Sequence, residues 1–188
     1  MADKMGKQRL GRVDWVLAGY RALVLGGVAG LKVEALAREM ATTKGSFYWH
    51  FKNMDELQAE MLAVWERLAT AEITAAVQRS GLDPRGQLML LVDMVSVQPG
   101  PELGGVAVEP ALRDWGRTDP KARAALERVD RQRLADLQGF LAAAGVAEVE
   151  AGALRIYAAV VGLEALRMTT GTQMRGPLRG VVQAVLAG

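Results

Sequence analysis

The chain has 188 residues, enough for one compact unit or two subdomains in a shared bundle, and its 51% apolar and 23% charged residues are the balance of an ordinary globular protein. Cysteine is absent and histidine occurs once, at His50, which excludes disulfides, iron–sulfur clusters, thiolate zinc sites, cysteine nucleophiles and any site built on two imidazoles. The formal charge of +2 hides an asymmetry: residues 1–53 carry nine basic and four acidic side chains, a local +5, against −3 in residues 54–188, which points to a polyanion partner at the N-terminal end.

The charged N-terminus is not followed by an uninterrupted apolar core and a small-residue cleavage site, because Asp14 and Arg21 intervene. The apolar-rich stretch 22–31 is far short of the roughly 20 residues of a spanning helix. A soluble, cytoplasmic protein without a membrane partner is expected.

No segment reads as a strand, and apolar residues recur at helical spacing nearly throughout. A first helix over 13–26 is apolar around most of its circumference, with Trp15, Ala18, Ala22 and Leu25 on one face and Val16, Tyr20 and Leu23 on another, so neighbours should cover it. Gly26, Gly27 and Gly30 end it. A short helix over 33–40 sets Val33, Leu36, Ala37 and Met40 on one side, and a third covers 43–51 with Thr43 as N-cap. Asn53 and Glu56 have capping-box-like spacing and open a long helix with a stripe of Leu57, Met61, Val64, Trp65 and Leu68, expected to run to about Ser80. Asp83-Pro84 and Asp119-Pro120 each put a capping acid before a proline at the first helical position, which starts helices over 84–97 and 120–144. A loop, VQPGPELGG, leads to a helix over 103–116, and two more span 148–171 and 175–187. The class is all-α, with about nine helices.

The segment 33–51, VEALAREMATTKGSFYWHF, joins two short helices by a tight turn, the pattern of a helix-turn-helix. Ala37 suits the crossing point, and Leu36, Met40, Phe47 and Phe51 are the expected buried pins. With Phe47 and Phe51 inward, Lys44, Ser46, Trp49 and His50 face out, with Tyr48 at the flank. Aromatics beside a lysine and a histidine can pack on thymine methyls and sugars while their polar tips bond phosphates. Gly45 carries no side chain to hold the backbone away from DNA, and the positive end of the helix dipole favours a phosphate. On the residues alone, Thr43 as a simple cap, Tyr48 and Trp49 as core, and His50 as a structural residue all stay open, since any αα-corner can imitate this motif.

Residues 33–57, VEALAREMATTKGSFYWHFKNMDEL, closely resemble the DNA-binding signature of the TetR family of bacterial transcriptional regulators, above all in KGSFYWHFKN followed by acid, acid and leucine. The resemblance covers about residues 10–68; beyond that it extends only to helix count, length and short motifs such as LRDWGRTDP. It implies homodimers in which the third helix of each subunit enters a major groove, and a variable C-terminal helical domain that binds a small molecule. Matched residue by residue, Thr43, Lys44, Tyr48, Trp49, His50 and Lys52 fall on positions that touch DNA in the family, and Gly45 and Ser46 where the backbone comes nearest the bases. The chain departs from the family at Ala41, where the turn usually has glycine; at Lys32, in place of a capping Ser or Thr; and at Met54, in place of a basic residue.

The domains are expected at 1–53 for DNA binding and 54–188 for ligand binding and dimerisation. In the larger domain Met61, Trp65, Met89, Met94, Leu112, Trp115, Phe140, Tyr157 and Val161 suit an apolar cavity between helices, although core packing explains any one of them equally well. Arg113 and Asp114 are candidate polar fixtures, with a solvated helix end as the competing reading. The helix over 148–171 is apolar nearly all round, so Gly152, Ala158, Ala159, Gly162 and Ala165, with Val181, Val182, Val185 and Leu186 of the last helix, are expected to form a two-fold dimer contact. A helix buried within one subunit is the competing reading. A two-turn reading helix meets few bases, which independently asks for two copies on a palindromic site.

The expected function is a homodimeric transcriptional regulator, a repressor released from a palindromic double-stranded DNA operator by a small apolar ligand. The alternatives are a helix-turn-helix regulator controlled by protein partners and, far behind, a helical-bundle enzyme. The sequence offers no nucleophile–base pair, metal-ligand spacing or phosphate loop, so no catalytic residue, metal or cofactor is expected.

Overall fold

The structure, a computed structural model, describes residues 10–97 and 108–188. The beginning of the expected helix over 103–116, most of the preceding loop, and Lys4, Lys7 and Arg9 of the basic N-terminus lie outside the described residues. Within them the chain is helical, in the order α1 (Arg12–Gly26), a 3-10 turn (Val28–Gly30), α2 (Val33–Glu39), α3 (Lys44–Tyr48), α4 (Met54–Ala69), α5 (Ala71–Gln78), α6 (Pro84–Ser96), α7 (Val108–Trp115), α8 (Pro120–Ala143), α9 (Val149–Thr170) and α10 (Arg175–Ala187). The α4 and α5 segments are the two halves of the helix expected over 54–80. Counted as one, they bring the described helices to the nine expected.

The break between them has a local chemical cause. At Thr70 the backbone leaves helical geometry (φ −130°, ψ −83°). Its hydroxyl donates to the Glu66 carbonyl at 2.6 Å, and the Ala69 carbonyl accepts from Arg133 Nε at 3.1 Å. Side chains thus take two carbonyls near the end of α4, as happens where a helix stops.

The other punctuation follows the sequence. The Asp83 carboxylate accepts from the Gly86 N–H at 2.9 Å, and that of Asp119 from Lys121 and Ala122 at 2.8 and 2.9 Å, each ahead of a proline in the first helical turn. Asn53 caps α4 by accepting from the Glu56 N–H at 2.9 Å, while the Glu56 carboxylate reaches back to the Lys52 N–H at 2.8 Å. Lys32 makes no side-chain cap at α2.

Two apolar cores result. The first joins α1, α2, α3 and α4 as far as Trp65 to Leu112 and Trp115 of α7 and to Ala122, Ala125, Leu126 and Val129 of α8. It is therefore not confined to residues 1–53. The second gathers Val77, Leu88 and Val92 with Leu137, Phe140 and Leu141 of α8 and the inner faces of α9 and α10. Helix α8 runs through both. On α1, Leu25 is exposed, contrary to the face assigned to it, because the covering elements reach only the Trp15–Tyr20–Leu23 side. The α1–α4 crossing is close: a Cβ on Gly19 would stand 2.6 Å from Met61 Sδ, and the Tyr20 hydroxyl donates to the Met61 carbonyl at 2.5 Å.

Between the two cores lies a charged seam. Glu109 of α7 accepts from Arg133 of α8 through both carboxylate oxygens, at 2.7 and 2.8 Å, and from Arg113 at 2.8 Å. Arg113 also donates to Asp130 at 2.8 and 3.2 Å, and the Tyr157 hydroxyl of α9 donates to Asp130 at 2.6 Å. Burial would raise the Glu109 carboxyl, but the Arg133 and Arg113 guanidiniums outweigh it and hold it below the usual carboxylate range.

Two outcomes follow from these features. Removing one partner of a buried ion pair leaves an uncompensated charge, so Glu109→Gln is expected to cost about 3 kcal/mol, a fall in Tm of roughly 6–12 °C for a chain of this size. The wild-type contribution is complete above the unfolded carboxylate pKa of about 4.3 and vanishes as pH drops through the lower folded value. Thermal melts from pH 3 to 7 should therefore show a flatter acid limb in the variant. In the turn before α3, Ala41 sits at φ +49°. A left-handed alanine costs about 1–2 kcal/mol, partly offset in glycine by about 0.4–1 kcal/mol of unfolded-chain entropy. Ala41→Gly is expected to raise Tm by about 1–3 °C, read by differential scanning calorimetry.

Candidate functional site

Three surfaces matter: the outer side of α3, a cavity among the later helices, and the free faces of α9 and α10. Around α3, Trp15 meets Phe47 edge-on at 5.2 Å and Phe47 stacks on Phe51 at 5.5 Å, which fixes the inward side of the helix. Leu36, Phe47 and Phe51 are fully buried pins as expected, whereas Met40 is only half-buried at the rim of this core. The regular helix is shorter than expected, yet the Phe51 N–H still bonds the Phe47 carbonyl at 3.0 Å, which carries the helical turn to the end of the motif.

The opposite side is open. Trp49 is 88% exposed and Tyr48 58%, so neither is core. Thr43 caps α3 from an exposed position, accepting from the Ser46 N–H at 3.3 Å; Ser46 and His50 are half-buried and Lys52 is exposed. A Cβ on Gly45 would find only Thr43 Oγ1, at 3.6 Å, so nothing within this chain crowds that position. Lys44 is exposed but ion-paired with Glu34 at 2.9 Å, which draws the Glu34 carboxyl down.

The basic N-terminal charge is less free than the sequence suggests. Arg12 lies over the Phe51 ring, 4.2 Å from its centroid, donates to the His50 carbonyl, and pairs with Glu56 and Glu60 at 3.2 Å. Arg21 pairs with Glu39. Both fasten one helix to another. Among the described residues, Lys32, Arg38 and Lys52 have no acidic partner. Met54, where a basic residue was expected from the resemblance, packs partly against the first core.

A cavity of about 410 Å³ opens between the end of α4 and helices α5, α6, α8, α9 and α10. Of the residues singled out for it, Trp65, Met94, Phe140 and Tyr157 line it. Met61, Leu112 and Trp115 do not; they are buried in the first core, which periodicity alone could not distinguish from a cavity wall. Met89 and Val161 pack at the margin of the second core, away from the lining. The sequence reading missed the charged wall: Glu109, Arg133, Asp136, Glu164 and Arg167 all border the space. The i,i+3 pair Glu164–Arg167 and the i,i+4 pair Glu109–Arg113 read in sequence like a solvated helix face, and the contacts that Arg133 makes with Glu109 and Thr74 with Asp136 are distant in sequence. Arg113, suspected as a polar fixture, belongs to the seam behind this wall; Asp114 is exposed at the end of α7.

On α9 and α10 the structure divides the expected contact residues. Gly152, Val182 and Val185 are buried within the subunit; a Cβ on Gly152 would lie 2.8 Å from Val185 itself. A helix apolar on all sides gives no direction, so sequence could not tell its inner from its outer face. Ala159 and Val181 are half-buried, while Ala158, Gly162 and Ala165 are exposed. The last three continue a free apolar stripe with Leu154 and Met168, and on α10 the exposed small residues are Gly176, Gly180, Ala184 and Ala187. No helix among the described residues is long and apolar enough to cross a membrane, and no cluster of metal-binding side chains occurs among them.

Residues 17–61 match the family model described as bacterial regulatory proteins, tetR family. No curated protein matches the chain. Several solved structures do. A transcriptional regulator from Rhodococcus sp. Rha1 superposes with a TM-score of 0.75 at 18% identity, over 95% of each chain. A regulator from Saccharomonospora viridis, solved in complex with choline, gives 0.74 at 18% identity over 93% of this chain and 92% of that one. A TetR-family transcriptional regulator from Streptomyces coelicolor gives 0.71 at 20% identity, over 94% and 88%. Residues 17–61 thus carry the helix-turn-helix segment described by the tetR family model, and the chain as a whole has the fold of these solved transcriptional regulators.

Proposed function

We propose that the protein is a homodimeric repressor that binds a palindromic operator through α3 of each subunit and is released from it by a small, largely apolar ligand. The observation that carries the DNA contact is the outward Tyr48–Trp49 pair. Large aromatics are rarely left in water without a partner, and these two flank Lys44, Gly45 and Lys52 on one face. In this reading Thr43, Ser46 and His50 complete the contact surface. Residues 1–53 are the DNA-binding unit and residues 54–188 the ligand-binding and dimerisation unit.

The exposed stripe of Leu154, Ala158, Gly162, Ala165 and Met168 supports the second subunit. Together with Gly180 and Ala184 it offers a smooth apolar surface on which two helix pairs can meet about a two-fold axis. The cavity supports a ligand, being of the size and apolar character of small-molecule sites. A neighbour of similar fold was itself solved with choline.

Helix α4 would connect the two events. Its last turn supplies Trp65, Leu68 and Ala69 to the cavity wall, and its first half packs on α1 through Leu57 and Met61. A ligand that fits better when the end of α4 is displaced penalises the DNA-competent spacing of the two α3 helices by that difference in affinity.

Fluorescence titration of a palindromic site upstream of the protein's own gene tests the DNA contact. Trp49→Ala combined with Lys44→Ala should weaken binding at least tenfold, about 1.4 kcal/mol, with Tm almost unchanged because both side chains are exposed. Unaltered affinity would defeat the assignment. For the dimer, Gly162→Glu sets like charges against each other across the axis. Sedimentation should then show a monomer at micromolar concentration, and operator binding should be lost with it.

A further inference from the structure

We propose that the cavity takes an amphipathic anion, a carboxylate head seated on Arg167 and Glu164 with an aliphatic or aryl body lying along the apolar wall. This deepens the reading of the cavity as a ligand site and rests on it.

Nearly all the polar groups of the wall are satisfied within the chain. The Thr70 hydroxyl is taken up by the Glu66 carbonyl and that of Thr74 by Asp136, at 2.6 Å each. Glu109, Arg133 and Tyr157 are closed in the seam, where two guanidiniums face two carboxylates and the charge balances. Two groups remain. The Arg167 side chain is only 8% exposed, yet among the described residues its Nε has no hydrogen-bond partner and its one ionic contact is Glu164 at 3.6 Å, too long for a hydrogen bond. Glu164 makes no hydrogen bond among the described residues. A buried guanidinium whose Nε is left idle is costly, and this one borders an open space.

Charge decides what fills that space. Burial first, and then the nearby Glu109 carboxylate, push Glu164 up to about 7, against the opposing pull of Arg167, Arg133 and Arg113. Glu164 therefore gains and loses its proton near neutral pH, and in its protonated form it leaves Arg167 a cation without a counter-charge among the described residues. A cationic ligand would claim Glu164 and leave Arg167 worse off, whereas a neutral one would bring acceptors but no charge. A carboxylate offers two oxygens to the guanidinium fork and accepts from protonated Glu164 as well. The body of the molecule would meet Leu88, Leu91, Val92, Phe140, Ile156 and Leu178. The volume of about 410 Å³ suits one medium-sized molecule.

Calorimetry on the full chain with decanoate, 1-decanol and decyltrimethylammonium tests this, with the neutral dye N-phenyl-1-naphthylamine as an independent probe of the cavity. Decanoate is expected to bind at least tenfold more tightly than decanol, and the ammonium not at all. Arg167→Met should bring decanoate down to the level of decanol, and Arg167→Lys should restore part of the difference. The groups facing Glu164 are Glu109 and Arg113 on α7, Arg133 on α8 and Arg167 on its own helix. Because decanoate binding traps a proton on Glu164, affinity should rise about tenfold from pH 8 to pH 6, and Glu164→Gln should abolish that slope. If the dye binds but decanoate neither displaces it nor outcompetes decanol, the anion assignment is overturned and the cavity reading stands. Failure of the dye and all three probes to bind overturns both.

Discussion

The Arg133 guanidinium is the point on which the rest of the architecture converges. Its terminal nitrogens hold Glu109 of α7, its Nε holds the last carbonyl of α4, and it lies against Tyr157 of α9. Arginine's fork of donors suits such a three-way junction, and a lysine point charge could not reproduce it. The junction stands between two apolar cores on the one helix that runs through both, so it sets how the N-terminal half of the bundle is placed against the C-terminal half. Four helices meet there through charge-assisted bonds with fixed directions, whereas apolar packing alone would allow them to slide.

The same junction also explains why the cavity exists. Side chains that would otherwise fill the space at the end of α4 are held back in the seam: Glu109 and Arg133 point at each other, and Tyr157 turns its hydroxyl toward Asp130. An ion cluster cannot collapse into an apolar void as leucines do, because it would lose its hydrogen bonds in moving. The space is therefore a consequence of how the polar wall is anchored. The polar fixtures expected of a ligand site are the groups that this anchoring leaves over.

What was readable in the sequence divides along a physical line. Helix starts were legible because a cap is a local interaction: Asp83 and Asp119 act on atoms two or three residues away. The outward side of α3 was legible too, since Phe47 and Phe51, four apart, take the core side and force Trp49 away from it. The one local pair in the seam, Glu109 with Arg113 four residues on, has the spacing of an ordinary solvated helix face and does not announce it. Arg113 meets Asp130 across 17 residues and Tyr157 across 44, and each looks in sequence like a solvated helix charge. Nor could the pattern separate the inner Gly152 from the outer Gly162, because α9 is apolar on both sides. Met61, Leu112 and Trp115 were assigned to a cavity for the same reason: burial leaves a periodic signal, and a void beside a buried residue leaves none.

Helix α4 shows how these levels combine. Its sixteen residues span about 24 Å at the helical rise per residue. At one end Arg12 grips Glu56 and Glu60 beneath α3; at the other Arg133 grips the Ala69 carbonyl. Between the two, Met61 fills the notch left by Gly19 so closely that even a methyl group there would collide. A close-packed helix of this kind moves as a rod, since bending it would break backbone bonds while shifting it only repacks the contacts at its ends. The break at Thr70 matters for that reason. It ends the rod at the cavity wall, so in the proposed switch a displacement of the Ala69 end would be conveyed along α4 toward α1 and α3 rather than into α5.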